Sequence, residues 1–149
     1  MPNYKKPGWF TQHVFNPAVA LASRLGISLA GSRRLTVKGR KSGKPHTVPV
    51  NPLKLGDETY LVAPRGHTQW VRNLRVATTG ELQVGRRIQT FRAVEMANAA
   101  KPQILREYLR LWKAEVGVFF NGISADATDD ELLAIAPGYP VFVIENTAA

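Results

Sequence analysis

The sequence predicts an α+β domain in which antiparallel hairpins form a partly closed barrel flanked by helices. Three observations carry this expectation. Short runs of alternating apolar residues are separated by glycine-containing turns. Helical patterns fall at the start, the middle and late in the chain rather than between every pair of strands. A last apolar run, Tyr139 to Ile144, is suited to close a sheet. At 149 residues the chain has the length of one domain spanning 1–149, with an ordinary hydrophobic core. No repeat, linker or low-complexity segment divides it.

Residues 1–15 form an arm of cations and aromatics, Lys5, Lys6, Trp9, Phe10 and Phe15. It is read either as a cover for the core or as a peripheral contact with a membrane. Asn16-Pro17 supplies a cap and a first-turn proline for a helix that stops at Gly26. Strand one is expected at Arg34 to Lys38, with Leu35 and Val37 on one face. The stretch Gly39-Arg40-Lys41-Ser42-Gly43-Lys44-Pro45 then reverses the chain. Strand two begins near His46 and is expected to continue through Val48 and Val50 to Leu53. Pro49 and Pro52 cannot donate to a ladder, so this strand should be bulged or lie at an edge.

Gly56-Asp57 turns the chain into strand three, Thr59 to Ala63, as a hairpin partner of strand two. Thr68 is placed to cap a short helix from Gln69 to Arg75, on which Trp70 and Asn73 share a face. Thr78-Thr79-Gly80 reads as a turn before two further strands, Glu81 to Val84 and Ile88 to Met96, joined at Gly85-Arg86-Arg87. Pro102 opens an amphipathic helix with Leu105, Tyr108, Trp112, Val116 and Phe119 on its apolar side. Thr128 and Glu131 have capping-box spacing, which accounts for the acidic cluster at 126–131 as helix-start chemistry.

Twenty Lys and Arg against eleven Asp and Glu give a formal charge of +9, which favours anionic partners. Nucleic acid, acidic lipid and a polyanionic cofactor all satisfy that charge. The absence of cysteine removes disulfides, thiolate nucleophiles and iron–sulfur clusters, and is compatible with a reducing cytoplasm. No signal-peptide pattern or membrane-length apolar run is present, so a soluble cytoplasmic protein is expected. His13, His46 and His67 lack metal-ligand spacing, and no metal is expected. Ser42 lacks a nucleophile elbow, and the lysine of the basic stretch precedes its serine, unlike the order of a Walker loop. Many anion contacts with few acid–base groups fit an enzyme whose hard chemistry belongs to a bound cofactor. On its own residues the basic stretch is either a phosphate cradle or a solvated hairpin tip.

The string from Leu35 through Gly-Arg-Lys-Ser-Gly-Lys-Pro to Pro49, followed by Leu61-Val-Ala-Pro-Arg65-Gly and by Trp70-Val-Arg-Asn73-Leu, resembles the deazaflavin-dependent nitroreductase family of actinobacteria. The resemblance implies a split antiparallel β-barrel, of the type that binds FMN and of the pyridoxamine-phosphate-oxidase-like folds. It implies the deazaflavin coenzyme F-420, with a tail of phosphate and several glutamates, FMN being the alternative. It implies hydride transfer from the reduced deazaflavin to an electron-poor quinone, enone or nitro compound. Carried over by position, Arg40, Lys41, Ser42, Gly43 and Lys44 surround the anionic tail. Val48, Pro49 and Val50 run along the ring, Arg65 meets tail or ring, and Trp70 and Asn73 wall the site. The connection from Arg65 to Trp70 is shorter than in the family, and its tyrosine-rich C-terminal stretch is replaced by Leu111 to Phe120, which leaves the acceptor open. Solvent or a nearby side chain, Tyr108 or His67, is expected to supply the proton. Related barrels often pair, so a homodimer is also expected. Two rival readings stand beside this one: a lipid-binding barrel, motivated by Phe119-Phe120 and the aromatic arm, and a nucleic-acid-binding barrel, motivated by charge alone.

Overall fold

The structure is a computed structural model that describes residues 33–147. The expected helix from Asn16 to Gly26 and the arm at 1–15 lie outside the described residues. Within them, seven strands form a single antiparallel sheet curled into a half-barrel, accompanied by three α-helices. The elements are β1 Arg33–Lys38, β2 Pro45–Val50, β3 Leu53–Leu55, β4 Glu58–Val62, α1 Gln69–Ala77, β5 Thr79–Val84, β6 Arg87–Glu95, α2 Lys101–Val116, α3 Asp129–Ile135 and β7 Val141–Asn146. The strand order is β2-β1-β5-β6-β7-β4-β3.

The run from His46 to Leu53 is not one strand. Pro45–Val50 pairs with β1 at one edge of the sheet, whereas Leu53–Leu55 pairs with β4 at the other. The hairpin partner of strand three is therefore the short β3 alone. Pro49 sits within the first pairing, opposite Arg34 and without a bulge, and the pairing ends at Val50, before Pro52. The edge position of β2 accommodates its prolines. Gly39 donates to the Lys44 carbonyl at 2.8 Å, so the next pair, Lys38 with Pro45, is a non-hydrogen-bonded one. Pro45 and Pro49 then lack their N–H groups on the side facing away from β1.

Thr78-Thr79-Gly80 is not a free turn either. Thr78 ends α1 in the left-handed conformation, φ 62°, and donates to the Leu74 carbonyl. Thr79 and Gly80 already belong to β5, opposite Arg92 and Phe91. A Cβ on Gly80 would stand 2.8 Å from the Phe91 ring and 3.0 Å from the Thr36 carbonyl, so glycine is needed here for packing rather than for turning.

Two buried clusters hold the layers. One lies between the sheet and α1 and contains Leu35, Val37, Leu61, Val71, Leu74, Phe91 and Phe142. The other lies under α2 and α3, where Leu105, Tyr108, Trp112, Val116 and Phe119 form the apolar face read from their spacing. At Trp112 the helix kinks (φ −112°, ψ 20°), and its indole N–H donates to the Pro52 carbonyl at 3.3 Å. After Val116 the chain tightens into a 3₁₀ turn, Gly117–Phe120. Phe120 stacks on Tyr139, with ring centroids 4.2 Å apart. The Tyr139 hydroxyl donates to the Phe119 carbonyl at 2.6 Å, and burial pushes its pKa up to about 12. The capping box of α3 forms as expected, Thr128 and Glu131 each bonding the other's backbone N–H.

Arg75 grips Glu95 through two 2.7 Å bonds, tying α1 to β6. The arginine hydrogen bond holds the Glu95 carboxyl below its usual range, against a smaller opposing effect of burial. A depressed carboxylate stabilises the fold above its unfolded pKa, and the contribution fades as pH falls through the folded value. We therefore expect Glu95→Gln to lower stability at neutral pH and to flatten the loss of stability below about pH 4.5. Denaturant midpoints across an acid series check this. Both side chains are a third exposed, so the effect is modest.

Candidate functional site

The loop between β1 and β2 is held by its own backbone. Gly39 and Lys44 close it, Gly43 donates to the Gly39 carbonyl at 2.9 Å, and Gly43 takes φ 73°, which an L side chain resists. Ser42 Oγ accepts the Lys44 N–H at 3.1 Å. The N–H groups of Lys41 and Ser42 have no hydrogen-bond partner among the described residues. Two adjacent free donors on a tight turn make a concavity suited to an anion.

Helix α1 anchors this loop. Asn73, 5 % exposed, accepts two bonds on its side-chain oxygen: from the Arg40 backbone N–H at 3.1 Å and from Arg40 Nη1 at 2.8 Å. The Gln69 side-chain oxygen accepts from the same Nη1 at 2.9 Å. Arg40 thus folds back on the helix, while its Nη2 and Nε make no bond to described residues. Gln69 stands four residues before Asn73 and shares its helix face. That i, i+4 relation was available in the sequence, where only Trp70 and Asn73 were paired.

Loop, strand edge and helix enclose a cavity of about 410 Å³ lined by Val37, Gly39, Arg40, Lys41, Ser42, His46, Thr47, Val48, Gln69, Trp70 and Asn73. Its wall is divided: Val37, Val48 and Trp70 are apolar, while the mouth carries Arg40, Lys41 and Ser42. Trp70 is braced by Phe142, with ring centroids 6.1 Å apart. No carboxylate lines the cavity. Lys41 and Lys44 have no ion pair among the described residues, so the positive charge stays available to a ligand.

Of the residues singled out from the sequence, Arg40, Lys41, Ser42, Val48, Trp70 and Asn73 converge here. Gly43 and Lys44 belong to the loop without lining the cavity. Pro49 and Val50 continue β2 opposite Arg34 and Arg33, beyond the lining. Arg65 sits in the turn before α1, outside the lining. Thr68 occupies the cap position, but its hydroxyl is buried without a partner and does not cap the helix. Tyr108, 1 % exposed, packs against Phe120 in the α2 cluster and is not brought to the cavity. His67 Nε2 lies 3.0 Å from the Pro137 carbonyl, also outside it. Val37, His46, Thr47 and Gln69 line the cavity without having been singled out as site residues, and Gly39 entered only as part of the basic stretch. His46 reaches the cavity wall because it pairs with Val37 and so shares that residue's face of the β1–β2 ladder, while its ring stays exposed.

The described residues contain no group of three His, Cys, Asp or Glu able to hold a metal, and no helix among them is long and apolar enough to cross a membrane.

A family model described as F420H(2)-dependent quinone reductase matches residues 17–128. No curated protein matches the sequence. Among solved structures, an F420-H2-dependent reductase is 20 % identical with a TM-score of 0.51, the alignment covering 77 % of this chain and 94 % of that one. A protein solved as a domain-swapped dimer is 17 % identical with a TM-score of 0.57, covering 92 % and 97 %. A protein of pyridoxamine 5′-phosphate oxidase type from Listeria innocua is 13 % identical with a TM-score of 0.50, covering 79 % and 85 %. At these identities the neighbours establish the fold, a split barrel.

Proposed function

The chain belongs to the F420H(2)-dependent quinone reductase family, and from that premise we infer that its cavity holds the deazaflavin and admits a small electron acceptor, a quinone foremost and an enone or nitro compound by the same chemistry. The cavity suits the cofactor on its own terms. An apolar wall with one aromatic face adjoins a mouth of fixed cations and free N–H donors, the two surfaces that a flat ring with an anionic tail requires. When bound, the reduced deazaflavin supplies the hydride.

The residues of the chain do the rest. Lys41, the free edges of Arg40 and the N–H groups of Lys41 and Ser42 take the tail. Trp70, Val37 and Val48 exclude water and fix the plane of the ring. Asn73 and Gln69 hold Arg40 in place, and so position the loop. Fixing donor and acceptor in near-attack geometry contributes roughly 7–11 kcal/mol at the favourable limit, so a site without a buried acid can still be effective. The observation that carries this reading is the coincidence of the family match with a cationic, carboxylate-free cavity at the matching residues. A homodimer, a cytoplasmic location and a membrane contact through residues 1–15 accompany it as further proposals.

The test is a titration with oxidised deazaflavin beside FMN, following tryptophan emission, since Trp70 lines the cavity. Saturable micromolar binding of the deazaflavin, followed by quinone reduction when the reduced form is supplied, is the expected result. Binding of FMN alone would replace the cofactor. Binding of neither would overturn the reading.

A further inference from the structure

Resting on that reading of the cavity, we propose that His46 is an anion contact whose protonation couples ligand binding to proton uptake. His46 is exposed and stands on the cavity wall between Ser42 and Val48, on the same rim as Arg40 and Lys41. Its place is built into the backbone: a Cβ on Gly39 would come within 2.6 Å of Nε2 and 2.7 Å of Cδ2, so the ring rests on the spot that glycine leaves open.

Among the described residues this ring has no firm partner. Its nearest polar atom is Ser42 Oγ, at a long 3.5 Å, and that oxygen already accepts the Lys44 N–H. On β1 it faces the neutral Val37. Across the cavity α1 presents Gln69, Trp70 and Asn73, also neutral, and both amide oxygens are committed to Arg40. The charged groups that line the cavity with it are Arg40 and Lys41, both cations. No Asp or Glu lines the cavity. Among the described residues nothing supplies a countercharge for an imidazolium at this position, and a bound anion would supply it.

Arginine and lysine keep their charge throughout the physiological range, whereas an imidazole ordinarily changes charge between about pH 5 and 8. A phosphate or carboxylate bound at this rim draws a proton from solvent onto His46 and gains a charge-assisted hydrogen bond. When the anion leaves, the proton is returned to solvent.

The experiment is calorimetric titration with oxidised deazaflavin in buffers of different ionisation enthalpy, comparing the wild-type protein with His46→Gln and His46→Lys. Any titration of the ligand itself is common to all three and cancels in the comparison. The wild type should take up more protons on binding than His46→Gln does. His46→Gln should bind about tenfold more weakly than wild type near pH 5.5 and almost equally near pH 8.5. His46→Lys should keep the tighter affinity at both. Equal proton uptake in wild type and His46→Gln, or the same affinity ratio at both pH values, would overturn the proposal while leaving the cofactor reading intact. Absence of deazaflavin binding by the wild type at either pH would overturn both.

Discussion

Deazaflavin binding should weaken by about 100-fold or more when Arg40 and Lys41 are both replaced by alanine, since each charge-assisted contact is worth roughly 1.5–3 kcal/mol and tenfold in affinity is about 1.4 kcal/mol. The two side chains contribute differently. Lys41 is exposed and makes no ion pair among the described residues, so Lys41→Ala should lower affinity, reduce its dependence on salt and leave stability unchanged. Arg40 also bonds the Asn73 and Gln69 oxygens through Nη1, so its removal loses those side-chain bonds at a cost of about 0.5–1.5 kcal/mol each in stability, while the backbone N–H at position 40 still satisfies Asn73. Affinity titrations at two salt concentrations, beside denaturant melts of the single and double variants, separate the two contributions. Unchanged affinity in the folded double variant would show that the basic loop does not hold the cofactor.

Phe120→Ala should produce the opposite pattern, a loss of about 3–5 kcal/mol in stability with unchanged affinity in the protein that remains folded. Phe120 is fully buried, stacked on Tyr139 and in contact with Tyr108. Removing its ring leaves a void that the surrounding helices cannot close, because the Tyr139 hydroxyl is fixed to the Phe119 carbonyl. This cluster lies under α2 and α3, whereas the cavity is built by β1, β2 and α1 around the other cluster. Urea denaturation and a deazaflavin titration at low denaturant measure the two quantities independently. A parallel loss of affinity would mean that the clusters are coupled more tightly than their separate residues indicate.

The contrast between the clusters also explains what could be read from the sequence. The α2 face was legible because Leu105, Tyr108, Trp112 and Val116 follow helical spacing and are buried, although the helix ends at Val116 and Phe119 lies in the 3₁₀ turn beyond it. The α3 cap was legible because Thr128 and Glu131 act within one turn. The cationic loop was legible because its turn residues and charges are contiguous. What escaped was non-local. Period-two alternation from His46 to Val50 says which face a residue takes, but not that the chain changes neighbours at Asn51-Pro52. Gly80 looks like a turn residue until Phe91, eleven positions later, is seen to need its space. Tyr108 could be imagined as a proton donor because its spacing places it on the buried face without saying what that face covers. Gly39 and His46 belong to the site through a contact across a hairpin, which no single run of residues announces.

The two prolines of β2 have a consequence beyond the pairing they limit. An edge strand with a free row of N–H and C=O groups is a template on which another chain can build. Here Pro45 and Pro49 remove two of the three outward donors, leaving only Thr47 between them. A foreign strand laid along this edge would find too few donors to grip. Protection against aggregation is thereby placed on the strand that forms one wall of the cavity, so the rim meets solvent and small ligands without inviting the extended backbone of a neighbour.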